Sequence, residues 1–447
     1  MGKFLDLTDT VATAGYAHVL VRLSADHALR APAPVARALS KAAAAKRSSF
    51  EACFVLPPQA VAQTRAARGL APSRLEAARK SAPARVRVFP NLGVALGYVD
   101  GAGLKALAAR DDVEQVTPAP ALRLIRPVAR AESGQPEAVT WGLRRLKAEP
   151  LWAAGLTGAS VVVGHLDTGV DASHPALVGA IDEFVEFDLR GDRVPVAPAR
   201  DSGEHGTHTA GVILGRRTEK GAFGMAPDAK LASALVIEGG DAIARVLGAL
   251  EWVIDKKLRI LSMSLGVPGF APDFQAIVDS LRDHDVLPVF ASGNEGVDTS
   301  RSPGNYANVL SVGAIGPDDA VAFFSGSQAF DRAANPLIPD LVAPGVDTLS
   351  CIPNNGYATL SGTSVAAPHI AGLAALLLQA RPAASAAELE SAIRQSCARS
   401  PNEPQERANL GVPDGPLALR IVTGQELVAN APAPTGAAGA PVVAVAQ

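Results

Sequence analysis

The sequence is poor in cysteine and in net charge, and each shortage excludes a class of protein. Only three cysteines occur among 447 residues, namely Cys53, Cys351 and Cys397. An odd number of widely spaced cysteines is not a disulfide framework and is more typical of a reducing compartment than of a secreted protein. The formal net charge of -3 provides no electrostatic footprint for nucleic acid or an anionic membrane. We therefore expect no nucleic-acid and no membrane partner, and a site that is a pocket or groove.

Segments that would direct export or membrane insertion are also missing. The first residues lack the basic region and apolar core of a signal peptide, since Asp6 and Asp9 interrupt them. The longest apolar run near the C-terminal end, Ile370 to Leu378, is too short to span a bilayer. The sequence therefore predicts a cytoplasmic protein and leaves open export without a cleavable signal peptide.

What the chain does contain indicates a globular protein of more than one domain. Hydrophobic residues make up 48% and charged residues 19% of the chain. A length of 447 residues is long for a single core. The first domain is predicted over residues 1–125, where strand-like and helical patterns alternate at 16–23, 31–46, 86–89, 93–99, 102–109 and 113–116. This order predicts a small split βαβ domain of ferredoxin-like α+β type.

A second, larger domain is predicted over residues 141–424. Near-continuous apolar runs occur at 160–166, 260–265, 286–291, 309–314 and 341–343, and helical patterns at 241–256, 273–284 and 365–380. This alternation predicts an α/β fold with a parallel central sheet and helices on both faces. Active sites of such sheets gather at the carboxyl ends of the strands.

Two polar or low-complexity segments flank this domain. Residues 126–140 lack periodicity and predict an exposed linker that is a target for proteolytic nicking. Residues 425–447 are rich in alanine and proline and predict a loosely packed or unstructured tail.

Three segments carry residues suited to chemistry, each at a predicted junction of strand and helix. Asp167 ends an apolar strand, His205 precedes glycine and small residues, and Ser364 opens an apolar helix. Each has an ordinary structural alternative: a turn or capping aspartate, a structural histidine, and a helix N-cap serine. His205 and His208 could also form a metal pair, but no third ligand of matching type lies nearby, so no metal site is predicted.

Together the three residues are more specific than any of them alone. A serine hydroxyl is a weak nucleophile and needs an adjacent base. A histidine base needs a carboxylate that fixes its tautomer and stabilises its protonated form. The order Asp167, His205, Ser364 in one α/β domain therefore indicates nucleophilic catalysis.

The motifs around these residues resemble those of the subtilase family of serine proteases. They are Asp167-Thr168-Gly169, His205-Gly206-Thr207-His208 and Gly362-Thr363-Ser364-Val365-Ala366-Ala367-Pro368-His369. The resemblance implies a serine endopeptidase that acts on proteins or peptides through an acyl-enzyme, with no cofactor. It makes Ser364 the nucleophile, His205 and not His208 the base, and Asp167 the residue that orients the base.

Two further segments extend the resemblance. The stretch Ala291-Ser292-Gly293-Asn294 is similar to the family's oxyanion-hole segment, which implies that the Asn294 amide stabilises the tetrahedral intermediate. The segment Ser264-Leu265-Gly266 matches the strand that binds the substrate backbone as an added strand. Residues 264–266 and 291–293 are accordingly predicted to bind substrate.

The resemblance also gives the first domain a role. Residues 93–99 and 104–116 are similar to the second half of a subtilase prodomain, which assists folding and then blocks the cleft. The chain is therefore expected to be a zymogen inhibited by its own prodomain or by a separate inhibitor protein. Processing is expected between Leu122 and Val139.

Two places depart from the family pattern. Ala176 stands where many members have a calcium ligand, and the partner loop 215–221 contains three cations, so that calcium site is predicted to be absent. Arg301 aligns near the floor of the specificity pocket and Asp298 lies close in sequence. We expect a charge in this pocket, of a sign that the sequence leaves open.

Two other functions remain compatible with the sequence. A catalytically idle subtilase-like binding protein would carry the same motifs without reacting with serine-directed reagents. A metal-dependent hydrolase built on His205 and His208 would respond to chelators instead.

Overall fold

The computed structural model describes residues 7–24, 41–56, 85–132, 137–195, 197–239 and 242–426. The first part of the helix predicted at 31–46 and nearly all of the predicted tail lie outside these residues. The processing region predicted between Leu122 and Val139 is described except for residues 133–136.

The N-terminal elements form a four-stranded antiparallel sheet in the order β2-β3-β1-β4. They are α1 (Leu7–Ala14), β1 (Ala17–Leu23), α2 (Lys41–Glu51), β2 (Val86–Phe89), β3 (Val94–Val99), α3 (Gly101–Ala108) and β4 (Val113–Pro118). With α2 between β1 and β2 and α3 between β3 and β4, this is the predicted ferredoxin-like arrangement.

Both faces of this sheet contribute buried side chains, since successive side chains of a strand point to opposite sides. On β1, Val19 and Val21 pack in the core of the N-terminal domain. Leu20, between them, packs with Phe89 and Leu92 in the core that continues into the larger domain. The N-terminal sheet is thus docked on the rest of the protein through a shared apolar interface.

The remaining elements build the larger domain and the segment that enters it. The strands are β5 (Arg123–Leu124), β6 (Ala129–Glu132), β7 (Val162–Asp167), β8 (Ile181–Glu186), β9 (Lys230–Leu235), β10 (Ile260–Met263), β11 (Leu265–Pro268), β12 (Leu287–Ala291), β13 (Arg301–Ser302), β14 (Leu310–Ile315), β15 (Gln328–Ala329), β16 (Leu337–Ile338), β17 (Leu341–Pro344), β18 (Thr348–Ile352), β19 (Gly356–Ser361), β20 (Cys397–Ala398) and β21 (Val412–Pro413). The helices are α4 (Trp141–Arg145), α5 (Ala148–Ala153), α6 (His205–Leu214), α7 (Ile243–Asp255), α8 (Gln275–Asp283), α9 (Thr363–Ala380), α10 (Ala386–Gln395), α11 (Gln405–Ala408) and α12 (Gly415–Thr423), with a 3-10 turn at Pro272–Phe274.

Seven parallel strands form the central sheet in the order β17-β14-β12-β10-β7-β9-β8, which confirms the predicted fold class. Two apolar cores lie on its opposite faces. Helix α9 is buried from Thr363 to Leu378 in one of them. Within the described residues, α9 is the one helix with the length and hydropathy of a membrane span, and 89% of that window is buried inside the protein. It is therefore the core helix against which the site is built.

Two sequence-based interpretations need correction. Residues 126–140 are not a featureless linker, because β6 within them pairs antiparallel with β19. Such pairing uses main-chain groups and requires no apolar periodicity. The apolar run predicted at 260–265 as one strand is two strands, β10 and β11, which belong to different sheets.

Candidate active site

Asp167 is the last residue of β7, at the carboxyl end of the central sheet, and is 1% exposed. Its Oδ1 accepts a 2.7 Å hydrogen bond from the N–H of Thr168. Burial alone would raise the pKa of this carboxyl, but the charge and hydrogen bonds of His205, with smaller contributions from His165 and Thr168, hold the pKa below its ordinary value. The site therefore contains a buried carboxylate that remains ionised.

His205 is the first residue of α6 and faces this carboxylate. Its Nδ1 lies 2.8 Å from Oδ1 and 2.9 Å from Oδ2 of Asp167. Asp201 fixes the start of the helix by accepting hydrogen bonds from the N–H and hydroxyl of Thr207. Gly206 is needed beside it, because a Cβ there would lie 2.1 Å from the carbonyl oxygen of Gly169. The imidazole is thereby held with Nδ1 on the carboxylate.

Ser364 is the second residue of α9 and is completely buried. Helices α6 and α9 pack against each other. Neither Ser364 Oγ nor His205 Nε2 has a hydrogen-bonding partner among the described residues, although both atoms are buried. Leaving a buried hydroxyl and a buried imidazole nitrogen without hydrogen-bonding partners destabilises the fold. Both groups are therefore available to bind and react with a substrate.

Asn294 follows β12 and faces the same helix terminus. Its Oδ1 accepts hydrogen bonds of 2.8 Å from both the N–H and the hydroxyl of Thr363. These donors fix the orientation of the amide, so that Nδ2 is the group that points away from α9. Nδ2 donates a 2.8 Å hydrogen bond to the carbonyl oxygen of Arg126.

The segment around Arg126 lies in the site as an added strand. On one side, Leu124 pairs with Leu265 and Arg123 with Gly266 in an antiparallel ladder. The N–H of Ile125 donates a 2.9 Å hydrogen bond to the carbonyl of Ser264. The strand 264–266 that was predicted to bind a substrate backbone thus holds a segment of the chain itself.

The same segment continues beyond Ser364. A Cβ placed on Gly362 would lie 3.1 Å from both Ser364 Oγ and Asn294 Nδ2, and 3.3 Å from the Cα of Pro127. Val128 then donates a 2.8 Å hydrogen bond to the carbonyl of Ser361, and β6 extends the pairing along β19. The Arg126–Pro127 peptide bond therefore lies at Ser364.

The other predicted binding residues, Ala291, Ser292 and Gly293, lead from β12 to Asn294. The Ser292 hydroxyl donates to the carbonyl of Gly326, and the Gly293 N–H to the hydroxyl of Thr363. Their recorded hydrogen bonds are thus internal to the larger domain, and a role in substrate binding stays a prediction.

The charge expected near the specificity pocket is one half of an ion pair. The side chain of Arg301 is 16% exposed and its Nη2 lies 2.5 Å from Oε1 of Glu295. Arg301 is close to two glycines that were predicted to bind substrate. A Cβ on Gly266 would be 3.0 Å from the Cβ of Arg301, and a Cβ on Gly293 would be 3.2 Å from the Cγ of Arg301. Asp298, the other candidate, is exposed. Glu295 was not identified from the sequence.

The second histidine of the motif has a different environment from the first. Nε2 of His208 donates to the carbonyls of Thr348 and Ala358, at 3.1 and 3.2 Å. Burial lowers its pKa to about 3. The described residues contain no group of three or more histidine, cysteine, aspartate or glutamate side chains that could hold a metal ion.

The loops around Ala176 are joined by direct contacts. The N–H of Arg216 donates a 2.9 Å hydrogen bond to the carbonyl of Ala176, and its guanidinium donates to the carbonyl of Val178. The positively charged side chain of Arg216 thus binds a carbonyl oxygen of this loop. The absence of the calcium site nevertheless stays a prediction.

Comparisons with known proteins match the chain to one protein family. The subtilase family model matches residues 158–413. The chain is 36% identical to subtilisin BL of Lederbergia lenta over 265 residues, which are 58% of this chain and 91% of that protein. It is 34% identical to an alkaline protease of Alkalihalobacillus alcalophilus over 291 residues, 64% of this chain and 71% of that protein. It is also 34% identical to subtilisin E of Bacillus subtilis (strain 168) over 253 residues, 55% of this chain and 62% of that protein.

Proposed function

The chain belongs to the subtilase family and is a serine endopeptidase, and from this premise we propose that Asp167, His205 and Ser364 are its catalytic triad. The observation that carries the proposal is the contact of His205 Nδ1 with both oxygens of the buried Asp167 carboxylate. This contact leaves His205 Nε2 free to accept a proton.

In the proposed reaction, Ser364 Oγ attacks the carbonyl carbon of the substrate while its proton passes to His205 Nε2. The carbonyl oxygen becomes an oxyanion, which accepts hydrogen bonds from Asn294 Nδ2 and the N–H of Ser364. The protonated His205 then gives its proton to the leaving amine, and the acyl-enzyme forms. Water then attacks the acyl carbonyl while His205 takes its proton, and His205 returns that proton to Ser364 Oγ as the acid leaves. Asp167 retains its negative charge throughout.

The proposed function includes self-inhibition by the N-terminal domain, acting as a prodomain. Support comes from the segment 123–132, which occupies both sides of Ser364 through main-chain pairing. A protein substrate bound as an added strand needs the same main-chain groups of β11. The domain is also anchored away from the cleft, where Glu251 of α7 accepts hydrogen bonds from the N–H groups of Asn91 and Leu92. A separate inhibitor protein would act on processed enzyme from which the N-terminal domain has been removed.

The residue after Arg126 explains why an active enzyme would not destroy its own inhibitor. Pro127 supplies a tertiary amide nitrogen that carries a ring carbon in place of hydrogen. The ring restricts the backbone on both sides of the bond at Ser364. We therefore expect the Arg126–Pro127 bond to resist hydrolysis and processing to occur elsewhere between Leu122 and Val139.

Peptide hydrolysis and active-site labelling test the proposed triad. A fluorophosphonate should label the processed protein at Ser364, and Ser364→Ala should abolish labelling and hydrolysis with an unchanged circular dichroism spectrum. Asp167→Asn should keep the fold and lose most of kcat, because the neutral amide cannot stabilise the protonated base. Labelling of Ser364→Ala, or chelator-sensitive hydrolysis that ignores the fluorophosphonate, would refute the proposal.

Cytoplasmic residence is proposed as well, and is supported by the three cysteines, all of which are unpaired. Fractionation of the native cells with an antibody against the chain tests it, and recovery outside the cytoplasm would contradict it.

A further inference from the structure

A second buried polar cluster lies beside Asp167. It begins with His165, two residues earlier on β7 and thus on the same face of the strand. His165, Ser233 of β9 and Thr209 of α6 are all at most 1% exposed. A buried imidazole in an apolar strand destabilises the fold unless it is hydrogen-bonded.

Both ring nitrogens of His165 have partners. Nδ1 lies 3.0 Å from the hydroxyl of Ser233, and Nε2 lies 2.9 Å from the hydroxyl of Thr209. Nε2 is also 3.8 Å from Oδ2 of Asp167. The Thr209 hydroxyl in turn lies 3.4 Å from the same Oδ2. His165 is therefore connected to the carboxylate directly through space and through one hydroxyl.

The contacts favour one tautomer of His165. With the hydrogen on Nε2, Ser233 donates its hydroxyl hydrogen to Nδ1, and the ring N–H donates to Thr209 while pointing toward the carboxylate. The one hydrogen of the Thr209 hydroxyl has three acceptors in reach, namely the carbonyl oxygens of His205 and Gly206, both at 3.1 Å, and Oδ2 of Asp167 at 3.4 Å. With the hydrogen on Nδ1, the ring would instead present a lone pair toward a negative charge. Burial lowers the pKa of His165, which keeps the ring neutral.

We propose that His165 is a positioning residue for the catalytic carboxylate. Its Nε2 lies 3.8 Å from Oδ2 and holds the Thr209 hydroxyl beside the same oxygen, and these two contacts keep both carboxylate oxygens on His205 Nδ1. The inference rests on the triad assigned above. Oδ1 of Asp167 has the Thr168 N–H as a second donor, whereas Oδ2 faces the Thr209 hydroxyl at 3.4 Å and His165 Nε2 at 3.8 Å. The two oxygens thus have separate neighbours, and rotation of the carboxylate away from His205 disturbs these contacts.

The cluster also sets the electrostatics of the base. The positive end of the His165 N–H dipole faces Asp167 and offsets part of the negative potential at His205. The charged and titratable groups around His165 are Asp167, His205 and Asp201. Removing the dipole strengthens the field of the carboxylate at His205, so the protonated form of His205 becomes more favourable.

Three variants test the role with readouts that loss of packing would not change. His165→Leu fills the site without hydrogen bonds, and His165→Gln keeps an N–H donor at similar reach. Ser233→Ala removes only the partner that fixes the tautomer. We expect His165→Leu to lower kcat about tenfold with KM nearly unchanged. We also expect the acid limb of its kcat/KM profile to move about half a unit to higher pH.

The conservative variants make the outcome decisive. His165→Gln should recover most of kcat and the original acid limb, and Ser233→Ala should show a smaller loss with a shift in the same direction. Should His165→Leu fail to fold, these two variants still give the comparison. Unchanged acid limbs in all the variants that fold, or equal losses in His165→Gln and His165→Leu, would overturn the proposal. Inactivity of the wild-type processed protein toward peptides and the fluorophosphonate would instead refute the triad.

Discussion

The carbonyl oxygen of Arg126 accepts a 2.8 Å hydrogen bond from Nδ2 of Asn294, the amide that we propose as the donor to a substrate carbonyl. The pairing of β5 with β11 and of β6 with β19 holds the chain on both sides of this contact. The described structure is thus that of a protease whose own segment pairs with strands on both sides of Ser364, as the proposed self-inhibition requires.

Replacing Pro127 should convert the bound segment into a substrate. Pro127→Ala restores a secondary amide at Ser364 and removes the ring that restricts the backbone there. The bond after Arg126 should then be cut within the purified protein. Mass spectrometry and N-terminal sequencing should show a new chain that begins at residue 127. The double variant Pro127→Ala/Ser364→Ala should stay intact at this bond. An intact Pro127→Ala protein, or wild-type protein cut at the same bond, would contradict the inhibitory role of the proline.

Asn294 should contribute to the rate and little to substrate binding. Asn294→Leu removes the amide that stabilises the oxyanion, which forms only in the transition state. Subtilisin itself is the measured case for this asparagine, with losses of roughly 10²–10³ in kcat, and we expect a loss of that size here. The control Thr363→Val removes one of the two donors that orient the amide and should cost less. A large change in KM with kcat preserved would disagree with the oxyanion role.

The ion pair of Arg301 and Glu295 should control the residue preferred before the cut bond. Glu295→Gln removes the partner charge and leaves the guanidinium beside Gly266 and Gly293. Cleavage after aspartate and glutamate should then increase about tenfold relative to cleavage after leucine. Arg301→Gly should favour large apolar residues. A peptide library measures both variants, and an apolar preference that neither substitution changes would rule out a role for this charge.

Glu251 should make the hold of the N-terminal domain depend on pH. Burial raises the pKa of Glu251 to about 7, although the hydrogen bonds from Asn91 and Leu92 oppose this shift. The charge of Asp255 also raises the pKa, and the charge of Arg87 lowers it. After the domain leaves, the carboxyl returns toward its ordinary value near 4.5. The joined state therefore binds a proton more tightly, so its stabilisation is greatest at low pH and is lost as the pH rises through about 7.

This pH effect can be measured as inhibition of the processed enzyme by its released N-terminal fragment. We expect the inhibition to be at least about tenfold weaker at pH 8 than at pH 5. Glu251→Gln, a neutral mimic of the protonated side chain, should flatten the dependence. A steeper dependence in Glu251→Gln, or stronger inhibition at pH 8 in the wild type, would show that another group controls it.

Most of the central sheet was predictable because burial imposed a simple pattern on its strands, although the buried strand β9 was missed. Strands β7, β10, β12 and β14 are buried on both faces and gave continuous apolar runs in the sequence. Strand β8, at the edge of the sheet, contains Asp182, Glu183 and Glu186 and is partly exposed, so its pattern did not indicate a strand. Pattern analysis detects burial, and an edge strand is held mainly by hydrogen bonds on one side.

The residues predicted for catalysis were recognisable because their motifs are local in sequence. The groups around them depend on distant contacts. Arg126 and Asn294 are 168 residues apart and meet through a carbonyl, which every residue type possesses. His165 did leave a signal, since a polar residue two positions before Asp167 in an apolar strand shares its face. Glu295 and Arg301 could have been paired by charge only once the turn between them was known.

The rate at which a fluorophosphonate labels Ser364 tests the central claim most directly, when it is measured on the intact chain and on the same chain after processing between Leu122 and Val139. If the segment 123–132 fills the cleft of an otherwise competent enzyme, labelling of the intact chain should be slow. It should become faster by at least about a hundredfold once the N-terminal part is removed, equal to about 2.7 kcal/mol. Equal labelling rates before and after removal would contradict self-inhibition, and no labelling of either form would contradict the catalytic assignment itself.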